Sequence, residues 1–229
     1  MIGIICAMKS EMDEISKFME IREEKEISGI PFRVGTIENK EVVTAICGIG
    51  KVFAGMCAQT MILKYAPEVI LNVGVAGTLV KELNIADIAV AKQLVQHDMD
   101  TSPLGDPKGL ISGINIVEIP CDEKVVKTIT ACAETVGIHT ECGTIASGDQ
   151  FVVDKERKAF IVEAFNGIAC EMEGAAIGQA CYVNKVPYGV IRAISDSADD
   201  NSHMDYPEFV KIASANNAKV INEFVKAWK

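Results

Sequence analysis

The sequence predicts a single α/β domain of three layers, with a central mixed, twisted β-sheet flanked by helices. Two observations carry this expectation. Short continuous apolar runs recur at residues 2–6, 69–73 and 186–194. Such runs read as strands buried on both faces, which calls for a helical layer on each side of the sheet. Segments of helical spacing lie between them, as at residues 52–65 and 174–183, and an amphipathic stretch closes the chain. No repeat, linker or compositional break divides the 229 residues, a length that one large α/β domain can fill.

Composition narrows the function classes. Hydrophobic residues make up 49% of the chain, enough for a sizeable core. A formal net charge of −10 argues against nucleic acid or an anionic membrane as partner, since both need basic surface. The eight cysteines stand singly in apolar or helical runs, and none forms a C-x-x-C pair. With only three scattered histidines, this predicts reduced thiols and no metal site. The chain enters its first strand without a basic leader, and no apolar run reaches membrane-spanning length. A soluble, cytoplasmic protein is expected.

Taken in order, the strand at residues 2–6 leads to a helix that Ser10 is expected to cap, with Asp13 completing a capping box. Met12, Ile15, Phe18 and Met19 form the stripe expected to be buried. Glu11 reads either as a first-turn carboxylate complementing the helix dipole, worth about 0.3–1 kcal/mol, or as a group aimed into a crevice at the strand's carboxyl end. Strands at 26–28, 32–37 and 42–47, punctuated by Gly29 and Asn39, read as an antiparallel meander. Gly48-Ile49-Gly50-Lys51 opens the next helix. It is not a phosphate-binding P-loop, because one residue rather than four separates its glycine from the Gly-Lys pair. Nor is it a dinucleotide fingerprint, because Phe53 stands where Gly or Ala is needed.

The strand at 69–73 is expected to end in a turn, Gly74-Val75-Ala76-Gly77, whose small residues let backbone approach a ligand closely. A strand at 85–95, an irregular loop through Gly113, and a strand at 114–119 follow. Asp122 caps a helix that stops at Gly137. The strand at 139–146 runs into Ser147-Gly148-Asp149-Gln150-Phe151-Val152, where Phe151 is either a core plug or a stacking platform for a planar ligand. A polar-faced helix at 155–164 precedes a strand at 168–170. Glu171 and Glu173 then sit at the entrance of a small-residue helix, where a solvated face accounts for them poorly. The last strand delivers Arg192 and Asp196 to the edge of the core, since an unpaired charge inside it would cost several kcal/mol. Asp205 begins the final helix, with Phe209, Ile212, Val220, Ile221, Phe224 and Val225 expected to face inward.

The polar residues left without a structural role gather at strand ends: Glu11, Ser147, Asp149, Glu171, Glu173, Arg192 and Asp196. A ligand site at the rim of a sheet leaves this pattern. The segments G-I-I-C-A-M-K-S-E (3–11), C-G-I-G-K-V (47–52), N-V-G-V-A-G (72–77), S-G-D-Q-F-V (147–152), C-E-M-E-G-A-A (170–176) and R-A-I-S-D-S-A-D (192–199) resemble, in order and spacing, those of the 5'-methylthioadenosine/S-adenosylhomocysteine nucleosidases. That family belongs to the nucleoside phosphorylase superfamily and cleaves the N-glycosidic bond of adenine thionucleosides. The resemblance implies that Asp196 protonates N7 of the departing adenine and that Glu11 deprotonates the attacking water. It further implies that Met172 and Glu173 hold the ribose, that Phe151 stacks on adenine and that the Val152 backbone reads the base edge. Arg192 would fix the water and Glu11, Tyr206 would cover the 5' side, and Met8, Ile49 and Gly77 would complete the pocket. It implies no cofactor, and a homodimer.

Other classes fit less well. A phosphorylase on this scaffold would need several arginines for phosphate. The chain has four, and a carboxylate, Glu11, at the nucleophile's position. A nucleosidase for an aminodeoxyfutalosine-type nucleoside, which shares adenine or hypoxanthine and ribose, is separated only weakly by the sequence. A silent nucleoside-binding protein on the scaffold would be expected to lose a carboxylate, yet Glu11, Glu173 and Asp196 are all present.

Overall fold

The computed structural model describes residues 1–196 and 206–229, with the backbone alone for Tyr206 and Pro207. The ten strands among the described residues form one mixed sheet. Parallel strands β1 (Ile2–Cys6) and β5 (Val69–Thr78) lie at its centre, each paired along an apolar stretch. On the far side of β1, the antiparallel meander β2 (Glu20–Ile27), β3 (Ile30–Ile37) and β4 (Lys40–Ile46) forms an open wing, attached by the parallel β1–β4 pair.

The rest of the sheet closes on itself. β5 pairs with β10 (Tyr188–Asp196), β10 with β6 (Ile88–Gln96), β6 with β8 (Thr140–Ser147), β8 with β9 (Gly167–Glu171), and β9 returns to the end of β5. The two-residue β7 (Ile119–Pro120) flanks β6. Because β9 runs against β5, their carboxyl ends meet, and Gly77 pairs with Cys170. That meeting point brings the Glu171–Glu173 junction beside the last residues of β5 and β10.

Helices cover both faces. On one side α1 (Lys9–Ser16), α3 (Glu123–Thr135) and α6 (Tyr206–Ala227) bury Met12, Ile15, Val125, Ile129, Val220 and Phe224 against β1, β5 and β10. On the other, α2 (Lys51–Tyr65) and α5 (Gly174–Asn184) pack through small residues, Ala54, Ala58, Ala175 and Cys181 among them. A satellite cluster under α4 (Lys155–Phe165) centres on Ile161 and Phe165. Each large apolar side chain buried this way stabilises the fold by about 1.5–3 kcal/mol. Asp122 and Asp154 cap α3 and α4 by accepting from the backbone N–H groups of Val125 and Arg157. All eight cysteines are free thiols. Among the described residues no helix is long and apolar enough to cross a membrane.

Several expectations need correction. The cap of α1 is Met8, not Ser10, which lies exposed within the helix. The Glu11 carboxylate reaches back to the N–H groups of Ala7 and Met8, at and just before the start of the helix. Gly74 to Gly77 is no turn, because β10 pairs along β5 past Asn72 and keeps it extended through Thr78. The strand expected at 114–119 shrinks to Ile119–Pro120 and one isolated bridge, Ile111 to Ile116. Phe18, just beyond α1, and Ile212, on the outer face of α6, are exposed. Asp205, placed at the start of α6, and Ser197 and Asp199 of the last motif lie outside the described residues.

Candidate active site

A cleft lined by both apolar and polar side chains opens where β1, β5, β9 and β10 end, the place where open α/β sheets bind ligands. Its walls come from Ala7, Met8 and Glu11 at the entrance of α1, Val75 to Gly77 of β5, Cys170 to Glu173, and Ser195 and Asp196 of β10. Ile49 and the segment Gln150 to Val152 form the rim.

Glu11 is 4% exposed, although it occupies the first turn of a helix. One carboxylate oxygen accepts from the N–H groups of Ala7 (3.0 Å) and Met8 (2.9 Å), and the other from Val75 N–H (3.0 Å). These bonds tie β1, α1 and β5 to a single carboxylate. Burial pushes its pKa up, and the nearby Arg192 charge and the three N–H donors only partly reverse that. The backbone passes close at Gly74, where a Cβ would lie 2.8 Å from Glu11 Oε1 and 3.3 Å from Arg192 Nη1.

Behind the wall lies a fully internal charge network. Glu171 Oε2 accepts from Arg192 Nε (3.1 Å) and Nη2, and from the N–H groups of Glu173 (3.1 Å) and Gly174 (2.8 Å). Its other oxygen accepts from Ser147 Oγ, which in turn accepts from Ala175 N–H at 2.7 Å. Arg192, 1% exposed, also donates to Asn72 Oδ1 (2.6 Å) and to the Ile191 carbonyl (3.1 Å). With so many bonds satisfied, the pair escapes the penalty of an unpaired buried charge. Glu173 extends the network into the cleft. One oxygen accepts from Gly50 N–H (2.8 Å), and the other stands 3.9 Å from Arg192. Burial and the neighbouring Glu171 push its pKa up to about 7, against the pull of Arg192.

Asp196 ends β10 and is partly buried, with Ser195 Oγ donating to Oδ1 at 2.9 Å. It presses against β5 at Gly77, where a Cβ would meet Asp196 Oδ2 at 2.6 Å. Glu11 and Asp196 therefore touch one strand at positions three residues apart, roughly 10 Å along its length.

Of the eleven residues expected at the site, nine line the cleft: Met8, Glu11, Ile49, Gly77, Phe151, Val152, Met172, Glu173 and Asp196. Arg192 does not line it. The guanidinium is held behind the wall by Glu171 and Asn72. The Tyr206 side chain lies outside the described residues. Phe151 is 60% exposed on the rim, so it plugs no core. Sequence reasoning missed Asn72 and the Val75 N–H that holds Glu11. The one available signal for Asn72 was a lone amide inside an apolar strand. Chemically, the cleft offers four carboxyl groups, Glu11, Glu171, Glu173 and Asp196, of which Glu171 is taken up by Arg192, and an aromatic ring at its mouth.

Comparison with known proteins shows the family. The family model described as the phosphorylase superfamily matches residues 1–226. An aminodeoxyfutalosine nucleosidase of Helicobacter pylori is 39% identical over 98% of this chain and 97% of its own length. A 5'-methylthioadenosine/S-adenosylhomocysteine nucleosidase of Shewanella halifaxensis is 37% identical over 98% of each. A crystal structure of an Asp-to-Asn mutant of the Helicobacter pylori MTAN, with 5'-methylthioadenosine in its active site, superposes with a TM-score of 0.93 at 38% identity. That superposition covers 98% of this chain and 97% of the other.

Proposed function

The chain belongs to the phosphorylase superfamily and is a nucleosidase, and from that premise we propose that it hydrolyses 5'-methylthioadenosine and S-adenosylhomocysteine to adenine and the thioribose sugar. The observation that carries this is that Glu11 and Asp196 line one cleft, Glu11 held by the Val75 N–H of β5 and Asp196 packed against Gly77 of the same strand. An N-glycosidic bond to adenine breaks readily only if the departing base receives a proton and an acceptor takes one from water.

In this reading the substrate's adenine stacks on Phe151 with the Val152 backbone at its edge, and Asp196 donates its proton to N7 as the C1'–N9 electron pair withdraws into the base. Positive charge develops on the sugar. Water adds its oxygen to C1', and Glu11 takes the released proton. Each such proton transfer is typically worth about 10²–10⁴ in rate, and two carboxyl groups on opposite sides of the scissile bond follow the logic of inverting glycosidases. Glu173, when ionised, accepts from a ribose hydroxyl and favours the cationic sugar. Arg192 acts from behind, keeping Glu171 and Glu173 in place. Among the described residues, none lining the cleft is suited to bind phosphate, because the nearby cation is sequestered by Glu171.

Aminodeoxyfutalosine is a second candidate substrate. It shares the adenosine part that these residues address, and one of the relatives above carries its name. Adenine release in phosphate-free buffer should be measured from all three nucleosides. Release from the two thionucleosides is expected, whereas turnover that required phosphate would overturn the hydrolytic reading.

The homodimer implied by the resemblance has a natural surface. Val52, Met56 and Leu63 repeat along one outer stripe of α2, with Tyr182 and Val183 exposed on neighbouring α5. Exposed apolar patches of this kind mark association sites. Sedimentation should give a dimer, and Val52→Asp with Leu63→Asp should shift it to monomer. A monomeric parent chain would refute the assignment.

A further inference from the structure

Asp149 is a polar residue that the chemistry above leaves unused, and it belongs to a cluster just outside the cleft. The cluster joins three segments: the turn Gly48 to Lys51 that enters α2, the end of β6 at Gln96 to Asp98, and the segment Gly148 to Val152 after β8. Asp98 Oδ1 accepts from Lys51 Nζ at 2.6 Å, while Asp98 Oδ2 accepts from Asp149 N–H at 2.9 Å. Asp149 Oδ1 then accepts from Lys51 N–H at 2.7 Å. Lys51 Nζ also donates to Gln96 Oε1 (3.0 Å), and Gln96 donates to Gln179 of α5 (2.8 Å). Both partners of the Lys51–Asp98 ion pair are largely buried, at 17% and 18% side-chain exposure. Beneath them the His97 ring fills the space under Gly148, where a Cβ would sit 2.4 Å from it.

The two segments braced in this way carry the apolar rim of the site. Ile49 lies between Gly48 and Gly50 on one, and Phe151 and Val152 follow Asp149 on the other. Residues 48–50 and 148–152 belong to no helix or strand, so no backbone ladder fixes the distance between them. The bonds through Asp98 and Asp149 do. Gly50, inside the first segment, also donates to Glu173.

We propose that Asp98, acting with Lys51 and Asp149, is a positioning residue that sets the gap between Ile49 and Phe151 and thereby the affinity for the planar base. This rests on the nucleosidase reading, since it takes the ligand between these walls to be a purine. Asp98 bonds to Lys51 and Asp149 and not to the groups that line the cleft, so its loss loosens base binding and leaves Glu11 and Asp196 in place.

The test uses free adenine as the probe, with binding measured by calorimetry on the intact protein, alongside kcat and KM for methylthioadenosine. For Asp98→Ala the adenine Kd and the KM are expected to rise together by about tenfold, which is a fraction of a base–aromatic stacking interaction, with kcat within about twofold. Lys51→Met, which keeps the backbone bond to Asp149, should show a smaller change in the same direction, and Asp98→Asn should recover part of the loss. Should Asp98→Ala fold poorly, Asp98→Asn and Lys51→Met carry the comparison. An unchanged adenine Kd in these variants, or a fall in kcat without a rise in Kd, would overturn the proposal while leaving the nucleosidase reading intact. A parent protein that bound no adenine would remove both.

Discussion

Gly77→Ala separates the site from the fold more cleanly than any carboxylate replacement. The added Cβ would stand 2.6 Å from Asp196 Oδ2 and 3.3 Å from its Cγ, whereas ordinary contact begins at 3.4 Å. The backbone at Gly77 cannot yield, because it is paired to Asp196 in β10 on one side and to Cys170 in β9 on the other. The Asp196 side chain, at the strand's end and facing the cleft, must move instead by roughly 0.8 Å, the difference between those two distances. Displacements near 1 Å in a catalytic group cost about 10²-fold in rate. Stability should hardly follow, since the methyl removes freedom from the unfolded chain, worth roughly 0.4–1 kcal/mol, and the group displaced is a partly buried side chain at the end of the strand. Adenine release from methylthioadenosine, measured with a thermal melt on the same sample, checks both halves. Full kcat in Gly77→Ala would refute the assignment of Asp196, and a collapse of the melting temperature would show that Gly77 serves the fold first.

Three further outcomes follow from the buried charges. Glu173 holds its proton up to about pH 7 in the folded protein against 4.5 ordinarily, so kcat/KM should rise with pH through neutrality as it ionises, and Glu173→Gln should flatten that limb. The same shift acts on stability with a definite sign. Between pH 4.5 and about 7 the folded state binds the extra proton, so its stability falls as pH rises through this window. The gap in melting temperature between pH 5 and pH 8 should therefore narrow in Glu173→Gln, and an unchanged gap would contradict it. Arg192→Met should destabilise by about 3–5 kcal/mol by leaving Glu171 buried without its counter-ion. Adding Glu171→Gln should restore part of this in a denaturant melt, and strict additivity would argue against the network.

The parts legible in the sequence were those that obey local rules. The strands of the central sheet and the aspartate cap of α3 followed from apolar runs and capping residues, because burial on both faces and orphan N–H groups constrain residue type directly. The clustering of Glu11, Glu171, Glu173 and Asp196 was also legible, since charge at the end of an apolar run seldom serves packing alone. What escaped depended on partners distant in the chain. Residues 74–77 looked like a turn by composition, and only pairing with β10, more than a hundred residues later, keeps them extended. Arg192 was expected to fix the water and Glu11, but its bonds to Glu171 and Asn72, which hold it behind the wall, depend on residues far away in the chain. Ser10 looked like a cap by residue type, and nothing local reveals that the helix already begins at Lys9. The closure of β5, β10, β6, β8 and β9 into a ring has no signature in any single segment.

The division of labour between Asp196 and Glu11 is tested most directly by changing the leaving group. Rates for Asp196→Asn and Glu11→Gln should be compared on methylthioadenosine and on a p-nitrophenyl 5-methylthioriboside, whose phenolate departs without a proton. Asp196→Asn should lose at least about 10²-fold on the nucleoside and little on the nitrophenyl riboside, while Glu11→Gln should lose activity on both. Equal losses for Asp196→Asn on the two substrates would contradict its role as the acid that releases the base.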